Sequence, residues 1–428
     1  MKLLLVMPHP APKHGILSRF VYPSLTLKQL AAVIPEEHEI RIIDERFEPI
    51  DFSGDYDAVG ISTMTYNSIR GYEVAEAFRK RGIPVFYGGY HASLMSEEAK
   101  EHVDAVLIGE GERTLPTVLK DIEQGTLQPF YRPDRLLKPE EIPPARHDIG
   151  SYNPFNEPIQ ASRGCPTGCE FCAMHIVEGN VFRGRPADHV VEELKSIKTK
   201  AIFFADASLT ISPPYSKTLF KGMAELNKYS ECFGNINVLS RDDEYLKLAR
   251  EAGIINWYVG IESISQQNID QAGKGTNKVE NYSKAIKKVH DHGMMVTGFF
   301  MFGFDFDTPE TFKKTLDLIY QWDLDEVSFS IVTPYPGTRL YQRYEEEGRI
   351  TCKDWSQYGE GNVNYNLQGI SEEELLKGIK YMAMDYYSIP HIIDRSFRHT
   401  NKSLYRFFIK LLRGFSVRSF YIHEKLTI

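Results

Sequence analysis

The 428-residue sequence has few cysteines and no long apolar segment. Because a helix needs about 18 consecutive apolar residues to span a bilayer, we expect no membrane-spanning helix. The apolar run that begins at Leu3 stops after five residues, which is too short for the core of a signal peptide. We therefore expect a cytoplasmic protein, in which the five cysteines are thiols or metal ligands rather than disulfides.

Three of the five cysteines lie close together in the stretch "RGCPTGCEFC" at residues 163–172. Such a cluster in a reducing compartment indicates a metal or redox site. A structural zinc site is closed by four ligands, and His175 is the local candidate for the fourth. A 4Fe-4S cluster held by three thiolates instead leaves one iron open to a small molecule, which is a catalytic arrangement. The ligands in either case would include Cys165, Cys169 and Cys172.

Residues 1–126 alternate short apolar runs with helical patterns, which predicts an α/β domain with a doubly wound, Rossmann- or flavodoxin-like parallel sheet. Prolines crowd residues 127–156 and discourage a helix or a central strand, so we interpret this stretch as a linker. The predicted strands of the first sheet lie in "MKLLLVMP", "HEIRIIDE", "DAVGIST", "PVFYGGY" and "DAVLIGE".

Residues 157–345 repeat the alternation of strands and helices six times. A closed eight-fold barrel takes about 250 residues, so this length predicts a partial (β/α)6 barrel, followed by a mainly helical extension over residues 346–428. Barrel chemistry sits at the C-terminal ends of the strands, and the cysteine stretch directly follows the first strand. The six predicted strands are "PIQASR", "AIFFAD", "NINVLSR", "WYVGIES", "MVTGFFMFG" and "EVSFSIVTP".

The spacing CxxxCxxC, with "YGGYH", "IGEGERTL", "VGIES" and "TPYPGTRLY" in this order, resembles the radical S-adenosylmethionine superfamily, in its branch with an N-terminal cobalamin-binding-like domain. The resemblance implies a 4Fe-4S cluster on the three cysteines, S-adenosylmethionine at the open iron, and a flavodoxin- or ferredoxin-type reductant. In this branch a 5′-deoxyadenosyl radical removes a substrate hydrogen and methylcobalamin supplies a methyl group. We therefore expect a methyltransferase acting on an unactivated carbon of a small-molecule or lipid-like substrate, and no nucleic-acid partner.

Two other activities stay open. A ring-forming, ring-contracting or carbon-coupling enzyme would use both cofactors without transferring a methyl group. A non-catalytic electron carrier would use only the iron-sulfur cluster. Measuring 5′-deoxyadenosine together with S-adenosylhomocysteine separates the three activities, because the methyltransferase forms both products, the rearrangement enzyme only the first, and the carrier neither.

The resemblance also suggests individual contacts with S-adenosylmethionine. Phe171 would approach the adenine, Asp206 the amino group of the methionine part, and Glu262 the ribose hydroxyls. The alternative for Asp206, Glu262 and Ser240 is that each caps the helix after its strand. In "GFDFDT" the sequence departs from the glycine, proline and glutamate of many relatives. The remaining candidates are Ser240 and Arg241 for the carboxylate and Gly303 for close approach of the backbone to adenine.

In the first domain, "STM" and the later pair of glycines resemble the serine and double-glycine elements of cobalamin-binding domains. Glycine lets a large ring approach the backbone closely. The aspartate-x-histidine-x-x-glycine element is missing, because His14 lacks the preceding aspartate, so we expect no protein histidine on cobalt. A relic domain with an empty pocket is the alternative. The candidate cobalamin contacts are Ser62, Thr63, Met64, Gly88 and Gly89.

The other histidines and cysteines have simpler interpretations. We expect His9 and His91 to be hydrogen-bonding loop residues, and Cys232 and Cys352 to be small buried apolar groups.

The stretch "NKSLYRFFIKLLRGFSVRSF" has a helical period, with an apolar face and a basic face. Residues 395–428 contain eight lysines or arginines and one acidic residue, which gives a net charge of +7. We expect the apolar face to pack on the barrel and the charges to face water, with a peripheral membrane contact as the alternative. The apolar face would comprise Leu404, Phe407, Phe408, Leu411, Leu412 and Phe415, and the basic face Lys402, Arg406, Lys410 and Arg413.

Overall fold

Two parallel sheets of six strands each organise the chain. Their positions come from a computed structural model. In the described part of the chain, no helix is long and apolar enough to cross a membrane. The structure describes residues 1–10, 22–150, 153, 156–359, 361–398 and 404–423.

The first sheet is wholly parallel and confirms the predicted doubly wound fold. Its strands are β1 (Lys2–Met7), β2 (Glu39–Asp44), β3 (Ala58–Thr63), β4 (Val85–Gly89), β5 (Ala105–Leu107) and β6 (Phe130–Tyr131). The strand order is β2-β1-β3-β4-β5-β6. The chain therefore places β2 on one side of β1 and all later strands on the other side, which makes β1 and β3 the topological switch point. Ligands of such sheets bind at the carboxyl ends of the strands.

Strand β6 lies inside the predicted linker and pairs with β5 at the edge of the sheet. Pro129 and Pro133 flank it. An edge strand tolerates flanking prolines because one of its sides needs no hydrogen-bond partner. The first sheet therefore continues past residue 126. The helices around it are α1 (Leu25–Ala31), α2 (Ser68–Arg79), α3 (Tyr90–Leu94), α4 (Ser96–His102) and α5 (Gly111–Gln124).

The second sheet is an open barrel of six parallel strands, in which the first and last strands lie at opposite ends of the order. The strands that carry the cysteine loop are β7 (Glu157–Ile159), β8 (Ser162–Arg163) and β9 (Arg183–Gly184), and β8 pairs with β9 in a separate antiparallel ribbon. The other barrel strands are β10 (Ala201–Phe204), β11 (Tyr229–Gly234), β12 (Ile254–Glu262), β13 (Met295–Phe302) and β14 (Glu326–Ile331).

Helices cover the outer face of the barrel, and their boundaries follow the punctuation in the sequence. Pro186 precedes the first turn of α7 (Ala187–Ser196), and Thr308 precedes that of α13 (Pro309–Gln321). Gly293 follows α12 (Tyr282–Asp291) with a φ of 73°. The helices are α6 (Met174–Val177), α7 (Ala187–Ser196), α8 (Pro213–Met223), α9 (Ile236–Leu239), α10 (Asp243–Glu251), α11 (Gln266–Gln271), α12 (Tyr282–Asp291), α13 (Pro309–Gln321), α14 (Arg339–Glu346), α15 (Glu372–Tyr386), α16 (Ile389–Phe397) and α17 (Leu404–His423).

The prediction of a strand at "NINVLSR" is wrong. The third barrel strand is β11, and the residues after it form the short helix α9. The side chain of Asn235 accepts a hydrogen bond from the amide of Asn237 at 3.0 Å, which starts the helix. The true strand carries Glu231 in its middle, so its sequence lacks an uninterrupted apolar run.

Helix α17 packs on the barrel as expected, but the predicted outward direction of the Lys410 and Arg413 side chains is wrong. Arg413 makes two hydrogen bonds to Glu231, at 2.7 and 2.8 Å, and Lys410 bonds Asp325 at 2.5 Å. Charge pairing with these buried carboxylates outweighs the apolar stripe, because an unpaired buried carboxylate is costly. Phe408 and Leu412 of the predicted apolar face are 53% and 51% exposed. Lys402 and the side chains of Leu404 and Arg406 lie outside the described residues.

Candidate active site

The cysteine loop runs from β8 to α6 at the C-terminal end of β7. Gly164, with a φ of 81°, begins the loop, and a Cβ there would lie 2.1 Å from the carbonyl oxygen of Val181. Only glycine fits this position. The amide of Cys165 donates to Gly179 O at 3.1 Å, and the amide of Cys172 donates to Cys169 O at 3.1 Å. These main-chain bonds fold the loop around the three thiols.

The thiols are partly or fully withdrawn from water. Cys169 is buried, and Cys165 and Cys172 are half-buried. Burial raises the pKa of Cys169 to about 12 and also raises the pKa of Cys172. Iron ligation would offset this, because a coordinated thiol is deprotonated.

The three thiols fit an iron-sulfur cluster better than a single ion. No three His, Cys, Asp or Glu side chains in the described residues are arranged to hold a metal ion. A 4Fe-4S cluster does not need that arrangement, because each thiolate binds a different iron. His175, the candidate fourth zinc ligand, lies in α6, and its Nδ1 has no hydrogen-bond partner among the described residues.

Glu262 ends β12 beside the cysteines in a left-handed conformation, with a φ of 63°. A non-glycine residue rarely adopts this conformation, and such residues concentrate at functional sites. Its carboxylate pairs with Lys274, whose Nζ also donates to Gly260 O at 2.9 Å. The positive charge of Lys274 lowers the pKa of Cys169, against the larger effect of burial. The ribose contact of Glu262 stays a prediction.

Sequence reasoning missed Lys274. The available signal was a lysine between two glycines, in "AGKGT", shortly after a strand that ends in the barrel's C-terminal face. Active sites of such barrels lie at this face, and Lys274 places its charge there beside Glu262.

Asp206 follows β10 and holds the start of the cysteine loop. Its carboxylate accepts hydrogen bonds from the amide of Ala161 at 3.0 Å and from the hydroxyl of Ser162 at 2.6 Å. Burial raises its pKa to about 6. The capping alternative is wrong for Asp206, because Ser212 precedes α8. The predicted contact with S-adenosylmethionine stays untested.

The capping alternative is also wrong for Glu262 and Ser240. Ser265 caps α11 and Asp242 caps α10. Ser240 instead ends α9, where its hydroxyl donates to Asn237 O at 2.8 Å. Ser240 and Arg241 line a surface pocket together with lysines of α12. We expected both residues to contact the carboxylate of S-adenosylmethionine because they were predicted to end the third barrel strand. The structure ends that strand at Gly234, so the basis of this expectation is lost.

Gly303 lies in a tight turn after β13, with a φ of 99°. The carboxylate of Asp307 accepts hydrogen bonds from the amides of Gly303 at 2.8 Å and Phe304 at 3.0 Å. The unusual "GFDFDT" therefore folds as a turn closed by its second aspartate. Tyr365 donates to Gly303 O at 2.7 Å, and Phe171 packs against the apolar cluster that contains Phe304 and Tyr365. The structure thus brings the two predicted adenine contacts to one region.

The predicted cobalamin elements lie side by side at the carboxyl ends of β3 and β4. Ser62 is the register partner of Gly88, and Thr63 that of Gly89. A Cβ on Gly89, whose φ is 97°, would lie 2.4 Å from Thr63 O. A Cβ on Gly88 would touch only Leu107, at 3.7 Å, so this glycine borders open space. Met64 is 40% exposed at the same edge. These features suit a large flat ligand.

The other predicted histidine and cysteine roles have mixed outcomes. His91 is buried in α3 rather than in a loop, and its Nε2 lies 3.0 Å from the hydroxyl of Tyr72. The amide of His9 donates to Glu45 at 2.8 Å, and His14 lies outside the described residues. Cys232 is buried in β11 as expected. Cys352 is only half-buried, which contradicts the expectation.

Four aromatic rings line the interior of the barrel below the cysteine loop. Phe203 lies 5.9 Å from Phe233, Phe233 5.5 Å from Tyr258, and Tyr258 5.8 Å from Phe299, between ring centroids. All four side chains are half-buried, whereas their neighbours along each strand are buried. This alternation places the rings on the inner face. They form an aromatic wall inside the barrel.

Comparisons with known proteins match both halves of the chain. The Radical SAM superfamily matches residues 159–319, and the B12 binding domain matches residues 16–119. The chain is 32% identical over 358 residues to the bacteriochlorophyllide d C-8(2)-methyltransferase of Chlorobaculum tepidum, with 78% of each chain covered. It is 29% identical over 409 residues to the C-12(1)-methyltransferase of the same organism, covering 92% of this chain and 89% of the relative.

A solved structure shares the fold. The radical S-adenosylmethionine methyltransferase TsrM from Kitasatospora setae, with cobalamin and a 4Fe-4S cluster bound, has a TM-score of 0.69 at 17% identity. The match covers 81% of this chain and 75% of that chain.

Proposed function

This chain belongs to the radical S-adenosylmethionine superfamily and carries a B12-binding domain, and we propose that it methylates an unactivated carbon on the periphery of a tetrapyrrole macrocycle. The observation that carries the proposal is the similarity, over 92% and 78% of this chain, to two methyltransferases named for bacteriochlorophyllide d. The aromatic wall inside the barrel supports it, because stacked or edge-on rings favour a planar aromatic ligand.

The cofactors of this enzyme are a 4Fe-4S cluster, S-adenosylmethionine and cobalamin. When bound, they supply hydrogen abstraction by a carbon radical and a methyl group. Cys165, Cys169 and Cys172 would hold the cluster, and the β3 and β4 edge at Ser62 and Gly88 would hold the corrin.

The protein's own side chains position these groups and exclude water. Asp206 fixes the main chain before the cysteines, and Lys274 places a positive charge beside Cys169. The apolar rings of Phe203, Phe233 and Phe299 keep water from the barrel interior, where it would compete for polar contacts with the substrate. Below these rings, Glu231 accepts hydrogen bonds from Tyr258 at 2.7 Å and Tyr22 at 3.1 Å, and these three side chains close the lower end of the barrel interior.

The test is an anaerobic assay of the reconstituted enzyme with bacteriochlorophyllide d as probe. We expect a product in which one methyl group replaces a hydrogen, so that its mass rises by one CH2, formed together with 5′-deoxyadenosine and S-adenosylhomocysteine. A low-potential flavodoxin or ferredoxin should replace a chemical reductant in this assay. Replacement of Phe233 by Ala should raise KM for the macrocycle. If bacteriochlorophyllide d gives no product while another small molecule is methylated, the substrate class is wrong.

We also propose that the enzyme contacts a membrane surface through an apolar patch formed by Ile389, Ile393, Phe408, Leu412 and Phe415. These side chains are 40% to 53% exposed, and they lie on α16 and α17, which pack together. The proposal depends on this apolar exposure rather than on the basic residues of the segment, because Lys410 and Arg413 pair with buried carboxylates of the barrel. A macrocycle with apolar substituents would be available there.

Vesicles of phosphatidylglycerol test this contact. Replacing Phe408, Leu412 and Phe415 together by Ser should abolish vesicle binding and leave the melting temperature unchanged, because the side chains are exposed. Equal vesicle binding by the triple variant and the unmodified protein would contradict the proposal.

A further inference from the structure

A hydrogen bond joins the predicted corrin edge to the cysteine loop. Tyr90 directly follows Gly88 and Gly89 and begins α3. Its hydroxyl donates to Oε1 of Glu178 at 2.8 Å. Glu178 directly follows the short helix α6, which comes after the three cysteines, and α3 lies against α6. The side chain after the double glycine therefore reaches across to the other cofactor's loop.

Glu178 also contacts the main chain just before the first cysteine. Its second oxygen, Oε2, lies 3.4 Å from the amide of Gly164, which donates to it. The next residue, Gly179, accepts the hydrogen bond from the amide of Cys165 at 3.1 Å. One carboxylate thus links the hydroxyl of Tyr90 to the backbone that carries Cys165.

The hydroxyl of Tyr90 is suited to stay a donor. Burial and the neighbouring Glu178 carboxylate raise the pKa of Tyr90 well above its ordinary value. A hydrogen bond from a neutral hydroxyl to a carboxylate is short and about twice as strong as one between two neutral groups. This bond is therefore able to fix a spacing.

We propose that Tyr90 is a positioning residue that, through Glu178, sets the distance and orientation of the bound corrin relative to S-adenosylmethionine on the cluster. The inference rests on cobalamin binding in the proposed function, but not on the identity of the substrate. The methyl group of S-adenosylmethionine and the cobalt must meet, and misplacement by about 1 Å costs on the order of a hundredfold in rate.

The role can be separated from folding, because other contacts also join the two halves. Arg163 pairs with Glu110 and Glu112 in a buried cluster, and Lys28 pairs with Glu157. The variant Tyr90→Phe keeps the ring and loses only the hydroxyl, so we expect it to fold.

A matched control removes a similar bond elsewhere. The indole N–H of Trp355 donates to both oxygens of Glu98, at 2.9 and 2.8 Å. This bond ties the C-terminal extension to α4 of the first half. Trp355→Phe therefore loses a bond to a carboxylate between two parts of the chain without touching the cysteine loop.

The experiment uses the full chain, reconstituted with iron, sulfide and hydroxocobalamin, and no substrate is added. Titanium(III) citrate supplies the electrons that bring cobalt to its +1 state. On addition of S-adenosylmethionine, the cobalt electron pair bonds the methyl carbon, the sulfonium–methyl bond breaks, and S-adenosylhomocysteine is released. The first-turnover rate of S-adenosylhomocysteine formation is measured. A second readout uses a separate sample, in which the cluster is reduced and cobalt is held in its +2 state. It is the broadening of the cobalt(II) electron paramagnetic resonance signal by the reduced cluster, which depends on their separation.

We expect Tyr90→Phe and Glu178→Ala to keep four irons and full hydroxocobalamin uptake, and to lose roughly tenfold or more of the rate. The broadening should change in both variants. Glu178→Gln keeps one oxygen that accepts the tyrosine hydroxyl but presents its NH2 group to the amide of Gly164, so its rate should lie between that of the unmodified protein and that of Glu178→Ala. Trp355→Phe should change neither readout.

Two results would overturn the inference. One is a Tyr90→Phe protein with both cofactors and an unchanged rate and signal. The other is loss of iron or hydroxocobalamin by Tyr90→Phe, because Tyr90 would then be needed to assemble the sites rather than to space them. If the unmodified protein itself took up no hydroxocobalamin, both the inference and cobalamin-dependent methyl transfer would be wrong. Since no macrocycle is present, an error in the substrate class does not affect the result.

Discussion

Arg163 lies two residues before the first cysteine and pairs with two carboxylates at the start of α5, a helix of the first half of the chain. Its guanidinium lies 3.1 Å from Glu110 and also pairs with Glu112, and all three side chains are at least nine-tenths buried. Glu110 pairs in addition with Arg183 at 2.9 Å. The charges before and after the cysteine loop are therefore neutralised by carboxylates of the first half of the chain, which contains the B12-binding domain.

Removing Arg163 should destabilise the protein strongly. Arg163→Met leaves Glu110 and Glu112 without a main partner in a buried site, which typically costs about 3 to 5 kcal/mol. Urea unfolding measures the loss. The exposed pair of Arg146 and Asp148 is the control, and Arg146→Met should cost less than about 1 kcal/mol. Equal losses from the two variants would show that the buried cluster has no special importance.

The two glycines of the corrin edge should respond differently to a bulky side chain. Gly88→Val should keep the fold and the cluster but block hydroxocobalamin uptake, because its side chain enters open space that the ring needs. Gly89→Val should destabilise the protein, because its positive φ and the nearby Thr63 O exclude a side chain. Iron content, melting temperature and cobalamin absorbance are measured together. Normal uptake by Gly88→Val would place the corrin elsewhere.

Asp206 should make stability depend on pH. Burial raises the pKa of Asp206 from 3.8 to about 6, so the folded state holds this proton more tightly than the unfolded state. Its contribution to stability is present at low pH and is lost as the pH rises from about 4 to 6, by roughly 3 kcal/mol. Asp206→Asn should therefore gain stability relative to the unmodified protein over this range. Urea unfolding at several pH values measures this.

An exposed aspartate provides the control for that experiment. Asp188 lies on the surface of α7, and Asp188→Asn should follow the pH dependence of the unmodified protein. Parallel curves for Asp206→Asn and the unmodified protein would contradict the buried-carboxylate account.

We expect the charged side chains of α17, rather than its apolar face, to stabilise the barrel. Arg413→Met removes the partner of Glu231, which is buried in β11, and should cost about 3 to 5 kcal/mol. Phe408→Ser, on the exposed side of α17, should change the melting temperature little. The reverse order of these two effects would mean that the apolar face carries the packing after all.

The sequence predicted those elements whose signals are local. Strands β1, β12 and β13 are long apolar runs. Such runs are typical of parallel strands that are buried on both faces. The cysteine cluster and the glycine pair were also visible, because their spacing and backbone requirements are local. Strand β11 was missed because Glu231 interrupts its pattern, and the arginine that neutralises this carboxylate comes 182 residues later.

The same limit explains the errors in the site. The bond from Asp206 to Ser162 joins residues 44 positions apart, and nothing in "FFADAS" indicates it. The inward direction of Lys410 likewise depends on Asp325, which lies 85 positions earlier. Hydrophobic periodicity describes one helix at a time and does not show which buried charges lie opposite it.

The most direct test of the central claim is to measure 5′-deoxyadenosine and S-adenosylhomocysteine together in one anaerobic reaction with bacteriochlorophyllide d. The account predicts that both products form, that both require the iron-sulfur cluster, and that neither forms when Cys165, Cys169 or Cys172 is replaced by Ala. Cys232→Ala and Cys352→Ala, which lie outside the cysteine loop, should retain activity. Formation of 5′-deoxyadenosine without S-adenosylhomocysteine would contradict methyl transfer and would indicate a rearrangement enzyme instead.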